Sequence, residues 1–453
     1  MLQAINPGTG AEIKQYPELN DGQIDSQIEQ ANRAFISWRN TSFADRAAVM
    51  NAVAGDLRAR KETLTRLMAE EMGKPVKEGG PEVEKSAWCA EHYAEYAEQY
   101  LADEELPSDA SRSYIHYEPL GAVLGILPWN APLWVAFRFM APALMAGSTC
   151  VLKHDPHVPG CAAAIAEAFA RAGAPEGVMV NLAVQTPAVE KVIRDRRIVA
   201  VSFTGSSAAG AKVAATAASE IKPAVLELGG SDPLIVLSDA DLNRAADVAV
   251  LSRMINAGQS CIAAKRVIVE QPVYQAFIDR CHERLANLKV GDPLKPDTDI
   301  GPIARDDLRQ NLHRQVSETI QAGAKCLLGG DLPAGDGFFY PVTLLTDVTP
   351  DMCVFREETF GPVMAVTPAG DVVEAVQLAN DTDYGLGAAV WTENATLAEE
   401  LTGRINAGQV AVNGIVKSDP RLPSGGIKRS GYGRELGPHG IREFVNAKQI
   451  WVR

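Results

Sequence analysis

A basic surplus is missing from this chain of 453 residues: 57 acidic side chains face 43 Lys and Arg, for a net charge of −14. A broad nucleic-acid-binding face needs the opposite balance, which sets that class aside. Net charge alone names no substrate, and an anionic substrate would need a local cation to hold it. Also missing is an apolar run of the ~20 residues that a membrane span requires. Gly121 to Met145 comes nearest, but Pro128, Asn130, Pro132, Arg138 and Pro142 interrupt it. The opening Met-Leu-Gln-Ala-Ile-Asn-Pro-Gly-Thr-Gly has neither the basic nor the apolar portion of a signal peptide. The seven cysteines show no CxxC spacing, so neither a zinc site nor a disulfide framework is indicated. A reducing cytoplasm is the expected setting, with most cysteines acting as small buried hydrophobes. Repeats and low-complexity segments are absent as well.

What is present is ordinary soluble-protein material, 46% hydrophobic and 22% charged, in a length that suggests two or three domains. The first hundred residues read as helical over 24–38, 44–71 and 82–101, where apolar and charged residues alternate at helical spacing. From Gly121 the texture changes. Strands are expected at 122–127, 149–153, 178–182, 200–203 and 224–228, with helices at 134–145, 161–172, 187–195 and 208–218 between them. Such alternation predicts a parallel sheet covered by helices, whose ligands sit beyond the carboxyl ends of the strands. A second α/β unit begins near Gly229-Gly230. It has helices at 239–257 (capped by Asp239 or Asp241), 274–288 and 306–322, and strands at 266–269, 363–367 and 388–391. The tail 449–452 reads as a final strand.

Four segments could carry chemistry. Cys261 follows a helix in the small, polar run Asn256-Ala-Gly-Gln-Ser-Cys261. A catalytic thiol needs partial exposure and a positive field, whereas a loop cysteine alone is equally an inert one. Glu227, in Val225-Leu-Glu-Leu-Gly-Gly230, is either a strand-end carboxylate in water or a buried general base with a raised pKa. Asn130 ends a strand in Pro128-Trp-Asn130, as a turn former or as a neutral donor to an oxyanion. Gly205-Ser-Ser-Ala-Ala-Gly210 joins a strand to a helix, whose free N–H groups suit a phosphate, although it matches neither GxGxxG nor a P-loop.

Taken in order, these segments resemble the aldehyde dehydrogenase superfamily over nearly the whole chain. The matching stretches are Asn6-Pro-Gly-Thr-Gly10, Glu71-Met-Gly-Lys-Pro75, Pro128-Trp-Asn130, Phe203-Thr-Gly-Ser206, Leu226-Glu-Leu-Gly-Gly230, Gly258-Gln-Ser-Cys261, Glu357-Glu-Thr-Phe-Gly-Pro362 and Ser430-Gly-Tyr-Gly-Arg-Glu435. Within it, the succinate-semialdehyde dehydrogenase group is the most similar. The resemblance implies a Rossmann-like cofactor domain (1–104 and 120–228), an α/β catalytic domain (229–427) and a β-arm (105–119 and 440–453) that pairs subunits into a homodimer or homotetramer. It implies Cys261 as nucleophile, Glu227 as the base that activates the hydrolytic water, and Asn130 with the Cys261 N–H as oxyanion donors. Around NAD or NADP it implies Trp129, Lys153 on the adenosine ribose, Pro156, Gly205 and Ser206 at the pyrophosphate, Leu228, Glu358 on the nicotinamide ribose and Phe360 beside the nicotinamide.

The chain departs from the pattern in informative places. NAD-preferring relatives carry a Glu three residues after the Lys, where Lys153-His-Asp-Pro156 has Pro156. Loss of that acid removes repulsion of a 2′-phosphate and implies use of both cofactors, unless Asp155 substitutes. His154 reads as a solvated loop side chain, with assistance to a phosphate as the alternative. Arg138, eight residues after Asn130, matches an Arg that grips the substrate carboxylate, a task that suits a guanidinium fork, and Ser418 matches a serine of that pocket. A second carboxylate-binding Arg found in some relatives is Ile255 here, and Arg253 should face elsewhere. Ser424 replaces an aromatic wall. Cys261 has no neighbouring cysteine, which excludes a disulfide switch there. The function expected is oxidation of succinate semialdehyde. The alternatives are uncharged or other short aldehydes such as glutarate semialdehyde, a CoA-acylating dehydrogenase, against which Glu227 speaks, and a non-catalytic relative.

Overall fold

The structure is a computed structural model describing residues 1–453. Its strands fall into two large sheets and two small ones. The first large sheet has the order Gly431–Tyr432, Ala224–Glu227, Ile198–Thr204, Ala122–Leu127, Thr149–His154, Met179–Asn181. Every pairing is parallel except that of Gly431–Tyr432. The expected alternation of strands and helices is therefore realised, because residues of each strand are buried on both faces. Val123 and Leu127 face a core shared with the N-terminal helices, while Leu124 and Ile126 face a second core on the other side. Each such side chain contributes ~1.5–3 kcal/mol through burial.

The second large sheet runs Lys325–Leu328, Thr343–Thr346, Val363–Ala369, Ala264–Glu270, Asp232–Val236, Gly387–Trp391, Gln409–Val412, with only the first strand antiparallel. Ile235 and Leu234 again divide between two cores. No helix is long and apolar enough to cross a membrane.

Several boundaries differ from expectation. The helix expected over 44–71 is two, Phe43–Ala59 and Lys61–Met72. At Arg60 the backbone turns to φ −104°, ψ 16°, and the guanidinium bonds Asp56 and the carbonyl of Ala164. The helix expected over 239–257 is Leu242–Met254, capped by Asp241 rather than Asp239; Asp239 instead accepts from the Thr392 hydroxyl. Strands Asp232–Val236, Thr343–Thr346 and Gln409–Val412 were not anticipated, being four or five residues long without clear alternation. The tail strand is longer than expected: Val445–Val452 pairs antiparallel with Arg112–Pro119, which also pairs with Glu104–Glu105.

Candidate active site

Four adjacent parallel strands of the first sheet end at one place. Ala224–Glu227 delivers Glu227, Ile198–Thr204 leads into Gly205-Ser206, Ala122–Leu127 leads into Trp129-Asn130, and Thr149–His154 carries Lys153. The chain order reverses between the second and third of these, and such a crevice is where open parallel sheets bind ligands.

Cys261 comes from the other large sheet, on the loop before Ala264–Glu270. That loop has an unusual path. Asn256, Ala257 and Gly258 are consecutively left-handed, at φ 54°, 54° and 73°, a cost of order 1–3 kcal/mol for each non-glycine that neighbours must offset. Buried Arg253 does so from the preceding helix, donating to the carbonyls of Val363 (2.6 Å), Gly258 (3.2 Å), Thr359 (2.8 Å) and Gly361. It thereby ties the Cys261 loop to the loop of Glu358 and Phe360. Glu78 accepts from the Asn256 N–H at 2.7 Å. The Asn256 amide donates to the Asn130 carbonyl at 2.8 Å, and the Asn130 amide donates to the Gln259 carbonyl at 3.0 Å. Lys265 donates to the carbonyls of Ser260 (2.8 Å) and Cys261 (2.7 Å). The Cys261 N–H has no backbone acceptor. One Asn130 N–H and the Cys261 N–H are thus left to serve a ligand oxygen.

The electrostatics follow from two carboxylates competing for one guanidinium. Arg138 is buried and ion-paired with Glu435, and its Nη2 lies 3.4 Å from the Thr204 hydroxyl. Glu227, equally buried, has no hydrogen-bond partner at Oε1. Burial pushes its carboxyl up to about 8, with Arg138 opposing and the like charge of Glu435 adding. Burial also pushes the Cys261 thiol up to about 11, opposed by Arg138 and Lys265. Room for the Glu227 carboxylate depends on Gly425, where a Cβ would stand 2.7 Å from Oε1. The site therefore presents a thiol, a neutral-leaning carboxyl and a cation whose charge reaches both.

The residues expected around a dinucleotide lie at the same edge. Lys153 is buried, bears its ammonium at a strand end and forms no ion pair with a carboxylate. Gly205 and Ser206 precede helix Ser207–Ser219, whose first turn has no acid, with Ser206 as its cap. Trp129 and Phe360 meet edge to face at 5.8 Å. Glu358 accepts from the Gly230 N–H at 3.0 Å and lies 3.3 Å from Lys265, and Leu228 is buried, its N–H on the Ser430 carbonyl. An unpaired lysine, an acid-free helix start and a carboxylate held at the facing loop fit a nicotinamide dinucleotide. Beside partly exposed Pro156, Asp155 is turned to His157, accepting from its N–H at 3.0 Å and lying 2.7 Å from its Nδ1. His154 is not a solvated side chain: it is buried between the Pro132 carbonyl and the Asp155 N–H.

On the remaining side, Ser418 is buried and accepts from the Trp134 indole at 3.0 Å. Ser424 forms a bridge with Glu435 through paired backbone bonds. Glu435, Lys265 and Glu78 were not singled out from the sequence, and Arg253 was considered only as a residue that faces away from the substrate. Glu435 closes a matching segment and could have been noticed as a carboxylate beside glycines; the others look like ordinary helix and strand charges until their carbonyl and amide partners are seen.

The sequence pattern of the aldehyde dehydrogenase family matches residues 1–450. The chain is 47% identical to the succinate-semialdehyde dehydrogenase [NADP(+)] of Mycolicibacterium paratuberculosis, over 100% of this chain and 96% of that protein. It is 48% identical to a probable succinate-semialdehyde dehydrogenase [NADP(+)] of Synechocystis, over 100% and 99%. The crystal structure of succinic semialdehyde dehydrogenase from Streptococcus pyogenes, in complex with NADP+, superposes with a TM-score of 0.97 at 33% identity, each chain fully covered.

Proposed function

This chain belongs to the aldehyde dehydrogenase family, and from that premise we propose that it oxidises succinate semialdehyde to succinate with NADP or NAD, through a thioester at Cys261. The observation that carries this is the Cys261 thiol set against a buried carboxyl, Glu227, that lacks a hydrogen-bond partner at Oε1. The names of the relatives support the substrate.

The Cys261 sulfur, as thiolate, attacks the aldehyde carbon. The oxyanion so formed takes up the free N–H of Asn130 and that of Cys261, each worth ~3–4 kcal/mol of barrier. A nicotinamide held beside Trp129 and Phe360 would supply the hydride acceptor, and loss of hydride from this carbon leaves a thioester on Cys261. Glu227 then takes a proton from water, the hydroxide attacks the thioester carbon, and the acid leaves with Cys261 restored. Splitting oxidation from hydrolysis in this way is the advantage of a covalent route. Trp129, Phe360 and Glu358 orient the nicotinamide half. Lys153, Pro156, Gly205 and Ser206 would line the adenosine and pyrophosphate half, with Leu228, next to Glu227, also beside the cofactor. Arg138 and Ser418 stand on the side that receives the substrate's carboxylate.

With succinate semialdehyde and butanal compared, we expect kcat/KM to favour the former by ~100-fold, about 2.7 kcal/mol; parity would move the assignment to uncharged aldehydes. For the cofactor, the one carboxylate of the Lys153–Pro156 run, Asp155, has its Oδ1 turned to His157. Steady-state kcat/KM is expected to be at least as high with NADP as with NAD, and a preference for NAD above ~10-fold would contradict it. The antiparallel ribbon of Arg112–Pro119 and Val445–Val452, with Trp451 and Val452 47% and 44% exposed, supports its use as a subunit-pairing arm in a homodimer or homotetramer. The cytoplasm is the compartment proposed.

A further inference from the structure

Arg138 is committed to Glu435, so the substrate side has another cation to account for. Helix Val76–Tyr100 brings Lys85 to that side. Its Nζ donates to the Ser418 hydroxyl oxygen at 2.9 Å and stands 4.0 Å from the Trp134 ring centroid. Ser418 therefore accepts twice, from Lys85 and from the Trp134 indole. Both lone pairs of its oxygen are used and its own O–H is unspent. Two of the three Lys85 N–H bonds are unspent as well.

The charges around Lys85 are otherwise occupied. On its own helix, Glu82 pairs with Lys74 and accepts from the N–H groups of Leu133 and Trp134. On the facing loop, Asp419 holds Arg421 at 2.7 Å. On the neighbouring helix the nearby charge is Arg138, of like sign. Cys89 is a buried thiol pushed up well above its ordinary value. A half-buried ammonium left without a carboxylate costs free energy that a ligand carboxylate would recover. Trp134 and Arg138 are one helical turn apart, ~6 Å along the axis, and the Arg138 charge reaches Cys261 and Glu227.

We propose that Lys85 and the Ser418 hydroxyl, steadied by Trp134, bind the distal carboxylate of the substrate and set the preference for an ω-oxo acid. Arg138, paired with Glu435, stands beside them on the side that receives the carboxylate. This deepens, and rests on, the succinate-semialdehyde reading. Burial, then Arg138, lowers the Lys85 ammonium to about 8. Its charge is therefore present below that pH and lost above it.

The test is the ratio of kcat/KM for succinate semialdehyde over butanal in wild type, Lys85→Met and Lys85→Arg. Lys85→Met is expected to lower the ratio by ~10–100-fold, chiefly through KM, as loss of uniform binding does, and Lys85→Arg to restore much of it. A wild type without preference overturns the substrate reading and this inference together. A preferring wild type whose Lys85→Met variant keeps the ratio within twofold overturns this inference alone. A second measurement needs no variant: inhibition of the wild type by succinate, relative to butanoate, should weaken by up to ~10-fold from pH 7 to pH 9. An unchanged relative inhibition also overturns it.

Discussion

Cys261→Ala is expected to abolish aldehyde oxidation, a fall of ~10⁴-fold or more in kcat. The variant removes the only atom that can form the thioester, and no other thiol is placed to replace it. Of the remaining six cysteines, Cys89, Cys150, Cys161 and Cys281 are buried within the cores, and Cys326 and Cys353 are partly exposed on the second α/β unit, away from the strand ends that carry Glu227 and Asn130. The loop should survive the change, because Arg253, Lys265, Glu78 and Asn130 hold its backbone rather than its sulfur. Fluorescence titration with NADPH, expected to give unchanged affinity, separates a chemical loss from a folding one. Reduced cofactor formed at more than ~1% of the wild-type rate would end the assignment of Cys261.

Glu227→Gln is expected to lower kcat by ~10²–10⁴-fold, the range over which a general base contributes. Its pH dependence is the sharper readout. The Glu227 carboxyl lies near 8 because burial disfavours its charge and Glu435 has taken the guanidinium. Below that pH the group is protonated and cannot accept a proton from water; above it the carboxylate is the base. Wild-type kcat should therefore rise from pH 6 and level off beyond about 8, an apparent value that belongs to the Glu227–Glu435 pair rather than to one residue. The Gln variant should lose that rising limb while a burst of reduced cofactor remains in the first turnover. A flat wild-type profile, or a Gln variant that keeps the limb, would remove Glu227 from the hydrolytic step. Burial raises both groups, the Cys261 thiol above the Glu227 carboxyl, so passing the Cys261 proton to Glu227 is uphill in the free enzyme.

The parallel strands of the first sheet were legible because both of their faces are buried, which writes runs such as Ala122–Leu127 as unbroken apolar sequence. The segments around Cys261, Glu227, Asn130 and Gly205 were legible for a related reason. Close backbone approach and left-handed turns restrict residue choice over short stretches, as at Gly258, where a Cβ would strike the backbone of Gly361. By contrast, nothing in the sequence near Arg60 marks the helix break, since its partner Ala164 lies 104 residues away. The strand Asp232–Val236, only five residues long, does not differ locally from a buried helix turn.

The sequence alone determined the α/β class, the order of the chemical segments and the kinds of atoms they carry, since all of these depend on neighbours along the chain. Tertiary structure decided which charge answers which. Arg138 met Glu435 some 300 positions away rather than standing free, Glu227 was left bare, and Lys85 was brought to Ser418 across 333 positions. Coulomb and desolvation energies depend on distance and burial in space, and those are defined only once the two sheets have packed.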